Sequence, residues 1–169
     1  MTEQELPDWD RIVERHGKRV FRVALRILGS VQDAEDVAQD AFTEAFRLHK
    51  AGPVQSWAGL LVRIATLRAI DRLRRTRRLN ELHDSVSAAT AEPFEEAIAI
   101  ELAERLRRAV AELPDQQATI FVMTHYEELS REEVAGSLGI SPEAVSTGLY
   151  KARQRLASHF SVFSNGVSQ

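Results

Sequence analysis

The sequence predicts an all-α protein: two small helical modules joined by a flexible linker, the second built around a helix–turn–helix. Three observations predict it. Apolar residues recur at helical spacing over most of the 169 residues, and the strict alternation that marks strands is nearly absent. Helix-start and helix-stop residues punctuate that periodicity along the whole chain. Between residues 80 and 93 it gives way to Asn80, Asp84, Ser85, Ser87, Thr90, Pro93 and several alanines, which build no core. The expected limits are therefore 8–79 for the first module, 80–93 for the linker and 94–160 for the second.

Pro7-Asp8 opens the first helix, whose core face is Val13, Val20, Ala24, Ile27 and Leu28, and Gly29-Ser30 ends it. Asp33 is the expected cap of the second helix, with Glu35 and Asp36 in its first turn, where carboxylates complement the helix dipole. Its apolar stripe runs through Ala34, Val37, Ala38, Ala41, Phe42, Ala45 and Phe46 until Ala51-Gly52-Pro53 breaks it. The third helix starts near Gln55 or Ser56 and runs to about Leu79. Trp57, Leu60, Leu61, Ile64, Leu67, Ile70 and Leu73 form its buried stripe; beyond Leu73 arginine continues alone, so a basic end should project. Four more helices are expected at about 94–112, 115–127, 131–138 and 142–160, followed by a tail that frays from Ser161.

Composition excludes several kinds of chemistry. With no cysteine there is no disulfide scaffold, thiolate zinc site, iron–sulfur cluster or Cys nucleophile. The five histidines (16, 49, 83, 125 and 159) fall in no metal-ligand spacing and read as surface or packing residues. No nucleophile–base pair or phosphate loop is evident, so neither a cofactor, a metal nor a catalytic residue is expected, and the chain is not expected to be an enzyme. No apolar run approaches the roughly 18 residues that span a bilayer, and the N-terminus is acidic where a signal peptide is basic. No membrane insertion and a cytoplasmic location are expected.

The net charge of −3 hides an asymmetry of +4 over residues 1–79 and −7 over 80–169. Phosphate attraction is screened within about 8–10 Å, so local clusters decide nucleic-acid binding. From Arg63 to Arg78 there are seven arginines and one carboxylate, Asp71. The bland reading is a solvated charged face. The density of arginine, with almost no acidic neighbours, favours phosphate contact through Arg72, Arg74, Arg75, Arg77 and Arg78. Trp57 could stack on a base, but it falls on the apolar stripe and reads as core.

At 131–153 Ala135 is small where two helices cross, Gly139 supplies a positive φ four residues later, and Val145 faces back into the core. Ser130 with Glu133 makes a capping box, and Ser141-Pro142 opens the last helix. A plain αα-hairpin shares some of this; the combination favours a DNA-type helix–turn–helix. Its second helix exposes Ser146, Thr147, Tyr150, Lys151 and Gln154. In the acidic second helix Asp36, Gln39, Asp40 and Thr43 face away from the apolar stripe and suit a basic protein partner.

These residues resemble a known family, the extracytoplasmic-function (ECF) bacterial sigma factors. Ile27-Leu28-Gly29-Ser30, Gln32 and Asp33 through Phe42 resemble the segment that binds core RNA polymerase. Trp57 through Ala65, then Ala69 through Arg75, resemble the region that melts and reads the −10 promoter element. Leu113-Pro114, Gln117, Glu128-Leu129-Ser130, Glu133-Val134-Ala135, Leu138 through Ser141, Val145 and Ala152-Arg153 resemble the −35-reading domain. The match runs in order over roughly residues 8–158.

The resemblance implies that Asp33, Asp36, Gln39, Asp40 and Phe42 dock on core polymerase, whose β′ clamp helices and β flap are the implied contacts. It implies that the loop 49–56 and the third helix capture an extruded −10 base. Arg63, Arg68, Asp71, Arg72, Arg74, Arg75, Arg77 and Arg78 would meet the −10 DNA. Ser146, Thr147, Tyr150, Lys151 and Arg153 would meet the −35 element. Promoter DNA and an anti-sigma factor are the further implied partners. Two departures from the family pattern stand out: Thr66-Leu67 replaces Arg-Asn, and Ser146-Thr147-Gly148 lacks two positive charges. They motivate an alternative, a sigma-like regulator that binds core polymerase or an anti-sigma factor without promoter activity. A stand-alone helix–turn–helix repressor would leave the acidic helix unexplained.

Overall fold

The structure, a computed structural model, describes residues 6–83 and 94–164, and seven helices account for almost all of them. Helix α1 (Trp9–Leu28) is capped by Asp8, whose carboxylate accepts from the Arg11 amide at 3.2 Å. It ends at Gly29, where φ is 70°. Val20, Ala24 and Ile27 are buried as the periodicity requires, but Val13 is 45% exposed, while Trp9 and Ile12 take the inward-facing positions at the front of α1, Trp9 against Phe46 and Trp57 and Ile12 against the smaller core.

Helix α2 (Val31–Ala51) starts earlier than expected. Its cap is Ser30, extended at φ −121°, whose hydroxyl accepts from the Asp33 amide at 3.3 Å. The Asp33 carboxylate, not needed as a cap, is free to reach the neighbouring helix. Helix α3 (Trp57–His83) begins as expected, with the Ser56 hydroxyl accepting from the Gly59 amide, but runs through residues 80–83, which the sequence reading gave to the linker. The rest of the expected linker, 84–93, lies outside the described residues.

Helices α4 (Phe94–Glu112), α5 (Asp115–His125), α6 (Arg131–Leu138) and α7 (Pro142–Ser164) follow. α5 is two residues shorter than expected, since Tyr126 closes it and Glu128 takes a left-handed φ of 53°. The reciprocal Ser130–Glu133 capping box is present, and Gly139 has the positive φ, 65°, that the turn requires. α7 runs past Ser161, where fraying was expected, to Ser164.

Helices α1, α2 and α3 pack on one another, as do α5, α6 and α7, and the long α3 also touches α4, α5 and α6. A smaller core of Val20, Ala41, Ala45, Leu61, Ile64 and Ala65 lies within the first module. The larger core is shared. Val23, Ile27 and Ile70 belong to the same buried cluster as Val110, Ile120 and Met123. Each fully buried aliphatic side chain of this kind contributes about 1.5–3 kcal/mol. The shared core therefore joins the modules by more than surface charge.

Two glycines mark close approaches. A Cβ at Gly148 would lie 2.5 Å from Ile120 Cδ1, so the glycine lets α7 seat on α5. A Cβ at Gly59 would lie 2.9 Å from Ser137 Cβ, so the glycine lets the Ser137 side chain of α6 seat on the front of α3.

Candidate functional site: an acidic, an arginine-rich and an open helix

The acidic face of α2 forms where the apolar stripe turns inward. Asp36, Gln39, Asp40 and Thr43 are exposed. Phe42 is half-buried against the smaller core, so packing takes most of its ring. Asp33 and Asp36 share a partner: Arg72 Nη2 donates to Asp33 Oδ1 at 2.7 Å and to Asp36 Oδ2 at 3.2 Å. Part of the expected polymerase face is thus neutralised by an arginine of the expected DNA face.

The sequence placed the α3 arginines in solvent, free for phosphate. The structure divides them. Arg63 and Arg78 are exposed, with no hydrogen bond or ion pair to another described residue. Arg68 donates to Glu44, a bond that raises its already high pKa and keeps it charged. Arg75 pairs with Asp71 one turn back at 3.0 Å. Arg74 and Arg77 turn to the second module. Arg74 donates to the Ala111 carbonyl at 2.7 Å, the Leu113 carbonyl at 2.7 Å and the Asp115 carboxylate at 2.8 Å. Arg77 lies 3.3 Å from Glu112. The expected projecting basic end is therefore corrected in part: oxygens of residues 111–115 lie against Arg74 and Arg77, while Arg75 and Arg78 stay exposed.

Of the two residues that depart from the family pattern on α3, Thr66 is fully buried and its hydroxyl has no hydrogen-bond partner among the described residues. Leu67 is half-buried and lines a cavity of about 520 Å³ with Arg63, Arg68, Arg74 and Asp115. A larger cavity, about 750 Å³, opens between the loop 51–56 and α6.

The outward face of α7 is open. Val145 is 2% exposed and Ala152 fully buried, which directs the opposite side outward. Ser146, Thr147, Tyr150 and Lys151 are all exposed, and the Tyr150 hydroxyl accepts from Gln154 at 2.7 Å. Arg153 is exposed and donates to His125 Nε2 at 3.3 Å. Burial, then the Arg153 charge, lowers the His125 pKa below 6.5.

The sequence reading missed several residues that join the modules. Arg19 donates to Glu127 at 2.5 Å, and Arg26 to the Tyr126 carbonyl at 2.7 Å. Arg107 donates to the Arg26 carbonyl at 3.2 Å, and its guanidinium covers Gly29. Tyr126 is half-buried beneath these arginines, and desolvation raises its pKa against their pull. These contacts span 81 to 108 residues of chain, and no local pattern announces them.

Among the described residues no cluster of His, Asp or Glu could hold a metal ion, and no helix is long and apolar enough to cross a membrane.

Comparison with known proteins agrees with this architecture. Residues 12–79 match the model of sigma-70 region 2, and residues 103–156 that of sigma-70 region 4. The chain is 31% identical to the ECF RNA polymerase sigma factor SigE of Mycolicibacterium smegmatis, over 97% of its own length and 66% of that relative's. With SigW of Bacillus subtilis it shares 28% identity, covering 86% of this chain and 84% of SigW. Among solved structures, CnrH in complex with the cytosolic domain of CnrY shares the fold, with a TM-score of 0.59, 23% identity and 91% and 88% coverage of the two chains. So does RpoE in complex with the anti-sigma factor NepR from Bartonella quintana, with a TM-score of 0.55, 16% identity and 93% and 99% coverage. The two regions, in family order on an all-helical frame, make the chain a member of the ECF sigma factors, the DNA-binding proteins that direct RNA polymerase to initiate transcription at promoters.

Proposed function

We propose that this chain docks on the β′ clamp helices of core RNA polymerase through Asp36, Gln39 and Asp40 of α2, with Asp33 and Phe42 at the edge. Its region 4 module meets the β flap. The loop 49–56 and α3 bind the −10 strand, with Arg63, Arg68, Asp71, Arg72, Arg74, Arg75, Arg77 and Arg78 as the contact set. α7 enters the −35 major groove through Ser146, Thr147, Tyr150 and Lys151, with Arg153 on a flanking phosphate. The modules are 8–79 and 94–160, the protein acts in the cytoplasm, and an anti-sigma factor holds it in check. It supplies recognition, and the polymerase supplies the nucleotidyl chemistry.

One observation carries the reading. The capping box, Gly139 and the buried Val134, Ala135 and Val145 fix α7 rigidly on α6 while its four contact residues stand in solvent. A rigid helix with a free polar face is what groove entry requires. The test is transcription by purified core polymerase plus this protein on genomic DNA of its source, mapping RNA 5′ ends. New starts sharing an upstream motif support promoter-specific initiation.

A second reading has its own support. Arg72, Arg74 and Arg77 are satisfied within the protein. A regulator that binds core polymerase or an anti-sigma factor without reading promoters would need them no further. Stable core binding with no new starts would favour that reading.

A further inference from the structure

We propose that the exposed face of α1 is a phosphate-binding ridge that takes the backbone of duplex DNA beside the groove that α7 enters. The proposal rests on the assignment of α7 to duplex DNA and adds a contact that neither the −10 nor the −35 residue set includes.

Helix α1 carries Arg11, Arg15, Lys18, Arg19, Arg22 and Arg26. At 3.6 residues per turn the six fall within about 100° of one another, opposite the buried Val20, Ala24 and Ile27. They run about 22 Å along the helix, roughly two-thirds of one turn of duplex DNA. The acids of α1, Asp10 and Glu14, lie outside that arc. Arg19 is committed to Glu127, and Arg26 donates to the Tyr126 carbonyl. The side chains of Arg11, Arg15, Lys18 and Arg22 are exposed and make no ion pair with another described residue. Like charges so concentrated repel one another, and an external polyanion relieves the repulsion. The field along the ridge is felt locally: burial, then the charges of Arg15 and Arg19, lowers the His16 pKa below 6.5.

The ridge is continuous with α7. Arg19, Arg22 and Arg26 line a cavity of about 440 Å³ with His125, Glu127 and Glu128. Arg153 of α7 donates to the Nε2 of that same His125 at 3.3 Å. Of the two carboxylates, Glu127 is buried against Arg19, which leaves Glu128 as the exposed acid. A row of cations therefore passes from α1, across the His125 ring, to the helix whose Ser146, Thr147, Tyr150 and Lys151 stand in solvent. Cations of this kind hold phosphates without reading bases, so the ridge sets affinity and salt dependence rather than sequence preference.

The probe is a fluorescein-labelled 30-bp duplex of mixed sequence, read by anisotropy on the full chain over a range of salt. Lys18→Ala with Arg22→Ala should weaken binding about tenfold at low salt and reduce the slope of log affinity against log salt by about 2. Both side chains are exposed and alanine is the best helix former, so the melting temperature should not fall. Arg47→Ala with Arg108→Ala, an equal loss of charge from exposed positions on α2 and α4, should leave the slope unchanged. Equal slopes for the two pairs overturn the proposal.

Lys151→Ala on the same duplex separates the two claims. A lower slope in Lys151→Ala with none in the α1 pair overturns the ridge and leaves the α7 assignment standing. The reverse result sinks the α7 assignment and upholds α1 as a nucleic-acid surface of its own. Core polymerase binding of the α1 pair is measured in parallel. A loss there, with the duplex slope intact, makes the ridge a protein-binding face and overturns the proposal.

Discussion

Arg19 on α1 donates to Glu127 beyond α5 at 2.5 Å, and the Glu127 side chain is only 2% exposed. The partners are unequal, because the arginine side chain keeps 28% of its exposure and the carboxylate has almost none. Glu127 Oε1 has no hydrogen-bond partner among the described residues. The buried carboxylate therefore depends on the single guanidinium for compensation.

Removing the two partners should have unequal effects. Arg19→Ala strands a buried charge and should destabilise by about 3 kcal/mol. Glu127→Gln leaves an arginine that reaches water and should lose about 1 kcal/mol. Urea unfolding of both variants checks the order; a larger loss in Glu127→Gln would contradict it.

Gly148→Ala sets helix propensity, a gain of up to about 1 kcal/mol, against overpacking of about 1–3 kcal/mol. The new Cβ would meet Ile120 Cδ1 at 2.5 Å, and Ile120 is fully buried, so destabilisation should win. Ile120→Val removes that atom. A double-mutant thermal unfolding cycle should show the pair more stable than the sum of its single changes predicts.

On α2, Asp40→Lys and Asp36→Lys should separate docking from folding. Both should weaken core polymerase binding by about tenfold, roughly the loss of one charge-assisted contact. Asp36→Lys should lower the melting temperature more, because Asp36 pairs with Arg72 within the fold, whereas Asp40 attracts Arg68 without bonding to it. Polymerase affinity by fluorescence and melting by circular dichroism measure the two effects.

Lys151→Ala should weaken binding to a −35-bearing duplex and reduce the slope of log affinity against log salt by about 1. Initiation at promoters lacking a −35 element should be unchanged. Uniform loss at all promoters would mean that Lys151 supports the fold instead.

Acid should loosen the α5–α7 contact. Burial and then Arg153 hold the His125 pKa below 6.5, and Arg19, Arg22, Arg26, Glu127 and Glu128 line the adjoining cavity. The fold prefers the neutral ring. His125 therefore contributes its stability above about pH 6.5 and loses it as the pH falls through its folded pKa. Melting temperature should decline from pH 7 to about 5.5, and His125→Gln should flatten part of that decline.

Helix existence, type and most boundaries were legible in the sequence, because caps and periodicity act within a few residues. Ser130, Glu133, Gly139 and Val145 announced the helix–turn–helix from local spacing alone. The start of α2 was misplaced because Ser30 and Asp33 are both good caps, and only the position of Arg72 shows why the carboxylate is used elsewhere. Residues 80–83 read as linker because their polar composition shows no core face, yet they continue α3 in solvent.

The chemical character of the candidate surfaces was also legible: an acidic helix, an arginine-rich helix and a helix with an open polar face, in that order. What the sequence alone determined is which side chains carry charge and which helix face they occupy, since both follow from spacing along one element. Which of those charges remain free is settled only when the helices pack together. Arg74, Arg77 and Arg63 look alike in sequence, yet two are matched by oxygens from residues 111–115 and one stands in solvent. That difference depends on where α3 meets α4 and α5, through a core that joins Ile70 to Val110 and Ile120. Packing between distant segments obeys shape and buried area, which no local periodicity encodes.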